Sequence, residues 1–197
     1  MIVGITGTLG AGKGTVVDYL KTKSFKHFSV RSFLIEEIER RGMHVDRDSM
    51  TSVANDLRAA HGSSYILEQL FNRAAAEGGD AVIESIRSIG EADYFKSHGG
   101  LLWSVDADKY ARYERIVKRA SETDKISFEK FSSDEERELA NTDPTKQNLT
   151  AVMHMADTAF INNGIKEDFY AQVEKALNMQ QNLPTQAHIF GCASQLV

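Results

Sequence analysis

The stretch Gly4-Ile5-Thr6-Gly7-Thr8-Leu9-Gly10-Ala11-Gly12-Lys13-Gly14-Thr15 constrains the possible folds more than any other part of the chain. Its Gly7-x-x-x-x-Gly12-Lys13 spacing is that of a phosphate-binding loop. The loop stands between a short apolar run, Ile2-Val3-Gly4-Ile5, and a segment from Gly14 to Lys23 in which Val16, Val17 and Leu20 recur with helical period. A strand that turns through glycines into a helix leaves backbone N–H groups pointing inward at the helix amino end, where the partial positive charge favours an anion. Lys13 then reaches the β- and γ-phosphates. The other reading is a glycine-rich strand-to-helix turn with an ordinary surface lysine. One residue departs from the strict Walker A pattern: Gly14 stands where Ser or Thr is asked for.

The rest of the chain fits the architecture that such a loop requires. Strand patterns are expected at His27–Val30, Asp80–Glu84, Gly100–Asp106 and Thr158–Asn162. Helical patterns are expected at about 32–41, 47–60, 64–76, 109–119, 128–139 and 166–179. Strands separated by helices imply an α/β three-layer P-loop NTPase fold, with a five-stranded, mostly parallel sheet covered by helices on both faces. A length of 197 residues suits one such domain. The apolar share of 42% and charged share of 26% are those of an ordinary globular chain, which excludes a disordered or fibrous class. No apolar run approaches the roughly 20 residues needed to span a bilayer. Met1 leads directly into a strand pattern, with neither a basic leader nor a secretory apolar region before it. Cys192 is the single cysteine, so no intrachain disulfide framework is possible and a reducing, cytoplasmic setting is expected. With 23 basic and 28 acidic residues the net charge of −5 argues against a general nucleic-acid binder.

The run Gly7-x-x-Gly10-x-Gly12-Lys13-Gly14-Thr15 resembles the loop of nucleoside monophosphate kinases, in which Gly commonly follows the lysine and Thr comes next. Within that group the chain is most similar to adenylate-kinase-related and dephospho-coenzyme-A-kinase-like proteins, over about residues 1–178. The resemblance implies ATP held by Gly7, Thr8, Leu9, Gly10, Ala11, Gly12, Lys13, Gly14 and Thr15. It puts Thr15 at the α-phosphate, and leaves Mg²⁺ to phosphates, water, Thr15 and a carboxylate from another strand. Glu84-Ser85-Ile86-Arg87 looks like the family's Asp-Gly-x-Arg stretch at a strand end. Ligands of open α/β sheets bind at the carboxyl ends of strands, so Glu84 and Arg87 are expected beside the loop, as metal and phosphate contacts or as a mutual ion pair.

The acceptor is expected among helices at about 31–78. Phe28 to Glu37 resembles the family segment Ser-x-Gly-Asp-x-Leu-Arg, with Ser32 and Ile35 at the usual Asp and Arg positions. Arg31, Ser32, Asn55 and Arg58 are the candidate acceptor contacts; Asn55 and Arg58, three apart, share a helix face. Each arginine reads equally well as part of a solvated face, with Arg40 and Arg41 pairing to Glu36 and Glu37 at i, i+4. Arg112, Arg115 and Arg119 fall on one side of a helix. Phosphoryl transfer depends on cations aimed at charge on the equatorial oxygens, and the related kinases carry them on a lid, here about 109–140, whose Ala120–Lys125 stretch is the expected moving part. Lys13, Arg87, Arg115 and Arg119 are therefore the candidate catalytic residues, with a basic outward face as the bland alternative.

Asp157 to Gly164 looks like the last strand of dephospho-coenzyme A kinases, which makes Asn163 to Ile165 candidate base contacts. Similar domains also occur fused to deoxycytidylate deaminases, but one cysteine cannot build a zinc deaminase site. Residues 179–197 read as a tail. Two functions stand: ATP-dependent phosphoryl transfer to a nucleoside or deoxynucleoside monophosphate, with dephospho-coenzyme A as the other acceptor, or a nucleotide-binding regulatory module that has lost turnover. Both take ATP, and the enzyme also takes a small phosphate-bearing acceptor; the oligomeric state stays open.

Overall fold

The structure is a computed structural model that describes residues 1–119, 127–139 and 147–182. The elements in chain order are β1 (Ile2–Gly7), α1 (Lys13–Thr22), β2 (Lys26–Phe28), α2 (Val30–Arg40), α3 (Arg47–His61), α4 (Tyr65–Glu77), β3 (Ala81–Glu84), α5 (Ile89–Ser97), β4 (Leu101–Asp106), α6 (Lys109–Arg119), α7 (Phe128–Leu139), α8 (Leu149–His154), β5 (Thr158–Ile161) and α9 (Lys166–Gln181). The five strands pair in parallel throughout, in the order β2-β3-β1-β4-β5. The strand that carries the glycine loop is therefore central, and the carboxyl ends of β3, β1 and β4 open on the same side of the sheet.

Each face of the sheet is covered, which explains the continuous apolar runs of the inner strands. On one face Val3, Ile5, Val82, Trp103, Val105 and Phe160 pack against Val16, Val17 and Leu20 of α1 and Phe169 and Val173 of α9. Trp103 is fully buried and meets Phe160 edge to face at 5.4 Å. On the other face Ala81, Ile83 and Leu102 pack with Phe33, Ile38, Leu57, Leu70, Phe95 and Val152, which come from α2, α3, α4, α5 and α8. At about 1.5–3 kcal/mol for each large side chain taken out of water, these two cores are what hold the layers together.

Local capping sets the helix starts. Ser29 accepts a bond from Ser32 N at 3.4 Å and so starts α2 two residues before its expected start. Asp46 and Ser49 form a capping box on α3. Two helices lie outside the sequence expectation. In α5, nine residues long, helical period is hardly visible, but Ser88 and Glu91 form a capping box that marks its start. In α8, six residues long, Asn148 accepts the Ala151 N–H at 3.0 Å. The expected moving stretch Ala120–Lys125, part of the 109–140 region, and the tail beyond residue 182 lie outside the described residues. Among the described residues no helix is long and apolar enough to cross a membrane.

Candidate functional site

The loop between β1 and α1 has the geometry that its glycines imply. Gly7, Gly10 and Gly12 have φ of 137°, 79° and 108°, the region L side chains rarely adopt. A Cβ on Gly10 would lie 2.6 Å from Arg112 O, and one on Gly12 would lie 2.4 Å from Asn162 Nδ2. Ala11 N donates to Thr8 O at 3.3 Å and Thr15 N to Gly12 O at 3.0 Å, whereas the N–H groups of Gly10, Gly12 and Gly14 meet no backbone acceptor among the described residues. Three amides at a helix amino end are thus available for an anion. A Cβ on Gly14 would meet nothing within 4 Å, so packing does not require glycine there. Lys13 Nζ donates to Gly7 O at 2.7 Å and Thr8 O at 2.8 Å, which lays its charge across the loop.

The loop is anchored from the β4 and β5 side. Thr8 Oγ1 donates to Asp106 Oδ1 at 2.6 Å, and Leu9 O accepts from Arg112 NH1 at 3.3 Å. Asn162 Nδ2 donates to Ala11 O at 2.8 Å, while its own N–H donates to Asp106 O at 2.8 Å. Asn162 and Arg112 are buried; the sequence places Arg112 only in a row of helix arginines and Asn162 only at a strand end, because nothing local marks their contacts with the distant loop. The expected base contact Asn163 is exposed, and its Oδ1 accepts from Asp108 N at 2.7 Å, tying β5 to the start of α6.

On the other side of β1, Glu84 and Arg87 emerge beside the loop as expected, but their pairing differs. Glu84 Oε1 stands 3.2 Å from His27 Nε2, an edge-strand residue brought alongside by the β2–β3 register. The hydrogen bond from His27 holds the Glu84 carboxyl below its usual range against the opposing effect of burial, with smaller help from the charges of His27, Lys13 and Arg87. The alternative reading, a mutual pair of Glu84 and Arg87, gives way to a pair of Glu84 with His27. Ser85, the residue in the family's glycine position, has φ 74°, and its N–H donates to Ile5 O at 2.9 Å. Arg87 is fixed by its backbone: its N–H donates to Glu91 Oε2 at 2.8 Å and its carbonyl accepts from Asn148 N at 3.0 Å. Its guanidinium NH1 donates to Gln147 Oε1 at 3.4 Å.

Among the described residues no three His, Cys, Asp or Glu groups could hold a metal by themselves. The ionised Glu84 carboxylate near the loop fits Mg²⁺ in the way this ion usually binds, through one or two carboxylates together with nucleotide phosphates and water. Glu84 and Thr15 are the residues that would share in holding it.

The α6 arginines do not form one uniform row. Arg112 is buried, Arg115 half-buried and Arg119 exposed. Arg115 NH2 donates to Asn162 O at 2.7 Å, and its NH1 is buried without a hydrogen-bond partner among the described residues. Arg115 thus reaches the β5 end of the site.

In the expected acceptor region Arg31, Ser32 and Asn55 are exposed and Arg58 is half-buried; no hydrogen bond or ion pair ties the side chain of Arg31, Asn55 or Arg58 to another described residue. The neighbouring arginines are used structurally. Arg40 and Arg41 both clasp Glu37, at 2.7 and 2.8 Å, and hold its carboxyl down at about 2. Glu36 pairs with Arg73 at 2.6 Å instead of with Arg40.

A family model described as an AAA domain matches residues 3–141. The chain is 26% identical over 185 residues to the UPF0200 protein TK1334 of Thermococcus kodakarensis, covering 90% of this chain and 97% of that one. Among solved structures it superposes on TT1252 from Thermus thermophilus with a TM-score of 0.61 at 21% identity, covering 91% of this chain and 97% of that one. A shikimate kinase from Bacteroides thetaiotaomicron gives 0.56 at 12% identity, with 92% and 98% covered. A dephospho-CoA kinase from Campylobacter jejuni gives 0.55 at 15%, with 91% and 96% covered. The fold is that of P-loop kinases at large, a broader likeness than to nucleoside monophosphate kinases alone.

Proposed function

The chain belongs to the AAA-domain family matched over residues 3–141, and from that premise we propose that it is an ATP-dependent phosphotransferase acting on a small phosphate-bearing acceptor, a nucleoside or deoxynucleoside monophosphate. One observation carries this reading. Three unpaired loop amides and Lys13 stand at the carboxyl end of β1, beside the adjacent strand β3 that ends in an ionised Glu84 and is followed by a backbone-fixed Arg87. The amides and Lys13 bind the phosphates of ATP, and Glu84 and Thr15 would share in holding Mg²⁺, which would supply neutralisation of phosphate charge. Arg87 faces the transferring group. Arg115 and Arg119 approach from α6, and the unpartnered NH1 of Arg115 is a donor left over for the nucleotide. Arg31, Ser32, Asn55 and Arg58 make the acceptor side, where Arg31 and Arg58 are not committed to any carboxylate among the described residues.

The likeness to a dephospho-CoA kinase favours a second acceptor class within the same chemistry, a hydroxyl on a phosphate-bearing molecule. The replacement of the family's Asp and Arg by Ser32 and Ile35 favours the other reading, a regulatory module that binds ATP in the cytoplasm without turning it over. Binding is tested by thermal denaturation with and without ATP and Mg²⁺. A ligand at about 100 times its Kd adds about 2.7 kcal/mol to the folded state, and Lys13→Ala should remove most of that shift. A shift that Lys13→Ala leaves intact refutes the loop as the site.

A further inference from the structure

On the reading that the Gly7–Lys13 loop holds the phosphates of ATP, we propose that Arg112 and Glu135 are positioning residues. They set the loop's shape from α6 and α7, so that nucleotide binding and the seating of α7 are coupled.

Both side chains are out of water, each only 6% exposed, and Arg112 NH1 is hydrogen-bonded to Glu135 Oε1. The same NH1 donates to Leu9 O in the phosphate loop at 3.3 Å. Arg112 Nε donates to Ala107 O at 2.9 Å and lies 3.6 Å from Asp106 Oδ1, the oxygen that accepts from Thr8 Oγ1 at 2.6 Å. Two successive loop residues are therefore held by one cationic group, Leu9 directly and Thr8 through Asp106. The backbones also touch, since a Cβ on Gly10 would meet Arg112 O at 2.6 Å and Arg112 Cβ at 3.1 Å.

The α7 side is equally committed. Glu135 also lies 3.5 Å from Lys109 Nζ, and the Arg112 guanidinium stands 5.6 Å over the fully buried Phe131 ring. The donors of Arg112 that touch the loop end on protein oxygens, so its influence on phosphate runs through the loop backbone. Removing either partner strips a buried charge of its hydrogen-bonded counter-ion and leaves only a longer contact, Asp106 at 3.6 Å for Arg112 or Lys109 at 3.5 Å for Glu135, which is unfavourable, so unseating α7 releases the arginine that holds Leu9. Coupling of this kind is reciprocal: if a seated α7 favours the anion-binding loop, a bound anion favours a seated α7 by the same factor.

The test is amide hydrogen exchange on the wild-type protein with and without ATP and Mg²⁺, joined to calorimetric titration of wild type and Glu135→Gln. Exchange should slow in both the loop and α7 when ATP binds. In Glu135→Gln the ATP Kd should rise about tenfold, and α7 should stop responding to ATP while the loop still does. Wild type that binds ATP with α7 exchange unchanged overturns the coupling and leaves the nucleotide site standing; so does a folded Glu135→Gln with unaltered Kd. Wild type that does not bind ATP overturns the nucleotide site and the coupling together. Should Glu135→Gln fail to fold, the exchange response of wild-type α7 decides alone.

Discussion

Asn162 and Ala11 are 151 residues apart in sequence and joined by a 2.8 Å hydrogen bond from Asn162 Nδ2 to Ala11 O. The bond fastens the end of the edge strand β5 to the middle of the phosphate loop, and Asn162 O in turn receives Arg115 NH2 at 2.7 Å. Asn162→Ala leaves the buried Ala11 carbonyl unsatisfied, while the bond from Arg115 NH2 to the backbone oxygen of residue 162 stays in place. The expected cost is about 1–3 kcal/mol in urea unfolding, with a smaller ATP-induced stabilisation than in wild type. Asn163→Ala, which removes only an exposed tie to Asp108, should cost less than half as much. Equal effects would mean that Asn162 is not specific to the loop.

Ser85 holds a left-handed conformation, φ 74°, that costs a non-glycine residue about 1–2 kcal/mol. Ser85→Gly should therefore match or exceed wild-type stability in thermal denaturation, although glycine also gains freedom in the unfolded chain. Ser85→Val should lower it clearly, because a β-branched side chain fits that region worst. A Val variant as stable as wild type would show that the strain is absent.

Acid stability should report Glu37. Its carboxyl is held at about 2 by hydrogen bonds from Arg40 and Arg41, below the ordinary 4.5. A group with a depressed folded-state value contributes stability that is complete above 4.5 and is lost as pH falls toward 2. The difference in melting temperature between wild type and Glu37→Gln should therefore be largest at neutral pH and shrink as pH falls from about 4.5 to 2. A difference constant across that window would remove Glu37 from the acid response.

Much of this was legible in the sequence, for physical reasons that differ by element. Gly7, Gly10 and Gly12 were readable because positive φ is written into the chain as glycine. The inner strands were readable because burial on both faces demands continuous apolar runs. The helix α8 was not, since six residues cannot display a helical period. In α5 the period was equally faint, and the signal present was the Ser88-x-x-Glu91 cap. The partner of Glu84 needed the strand order: only with β2 lying beside β3 does His27 come within 3.2 Å, so the nearer arginine in sequence looked the better match. Asn162 and Arg112 act through contacts that local pattern cannot encode.

Arg87 separates an enzyme from a binding module. Its backbone is pinned by Glu91 and Asn148, and its guanidinium NH1 donates to Gln147 Oε1 at 3.4 Å. With a saturating acceptor and ATP, Arg87→Ala should cut the rate by orders of magnitude, because the cation is worth most as charge spreads in the transition state. Arg87→Lys should restore little, since an ammonium lacks the planar fork that grips two oxygens. Full activity in Arg87→Lys would assign the residue a structural role.

Phosphoryl transfer from a nucleotide held by the Gly7–Lys13 loop is the proposed activity. Its most direct test is release of ADP from ATP and Mg²⁺ by the purified protein, measured against a panel of nucleoside and deoxynucleoside monophosphates and dephospho-coenzyme A, alongside Lys13→Ala. One acceptor should raise the rate well above the slow hydrolysis seen with ATP alone, with phosphate recovered on that acceptor and the gain lost in Lys13→Ala. A wild-type rate that no acceptor raises above this hydrolysis would contradict catalysis and leave a nucleotide-binding module.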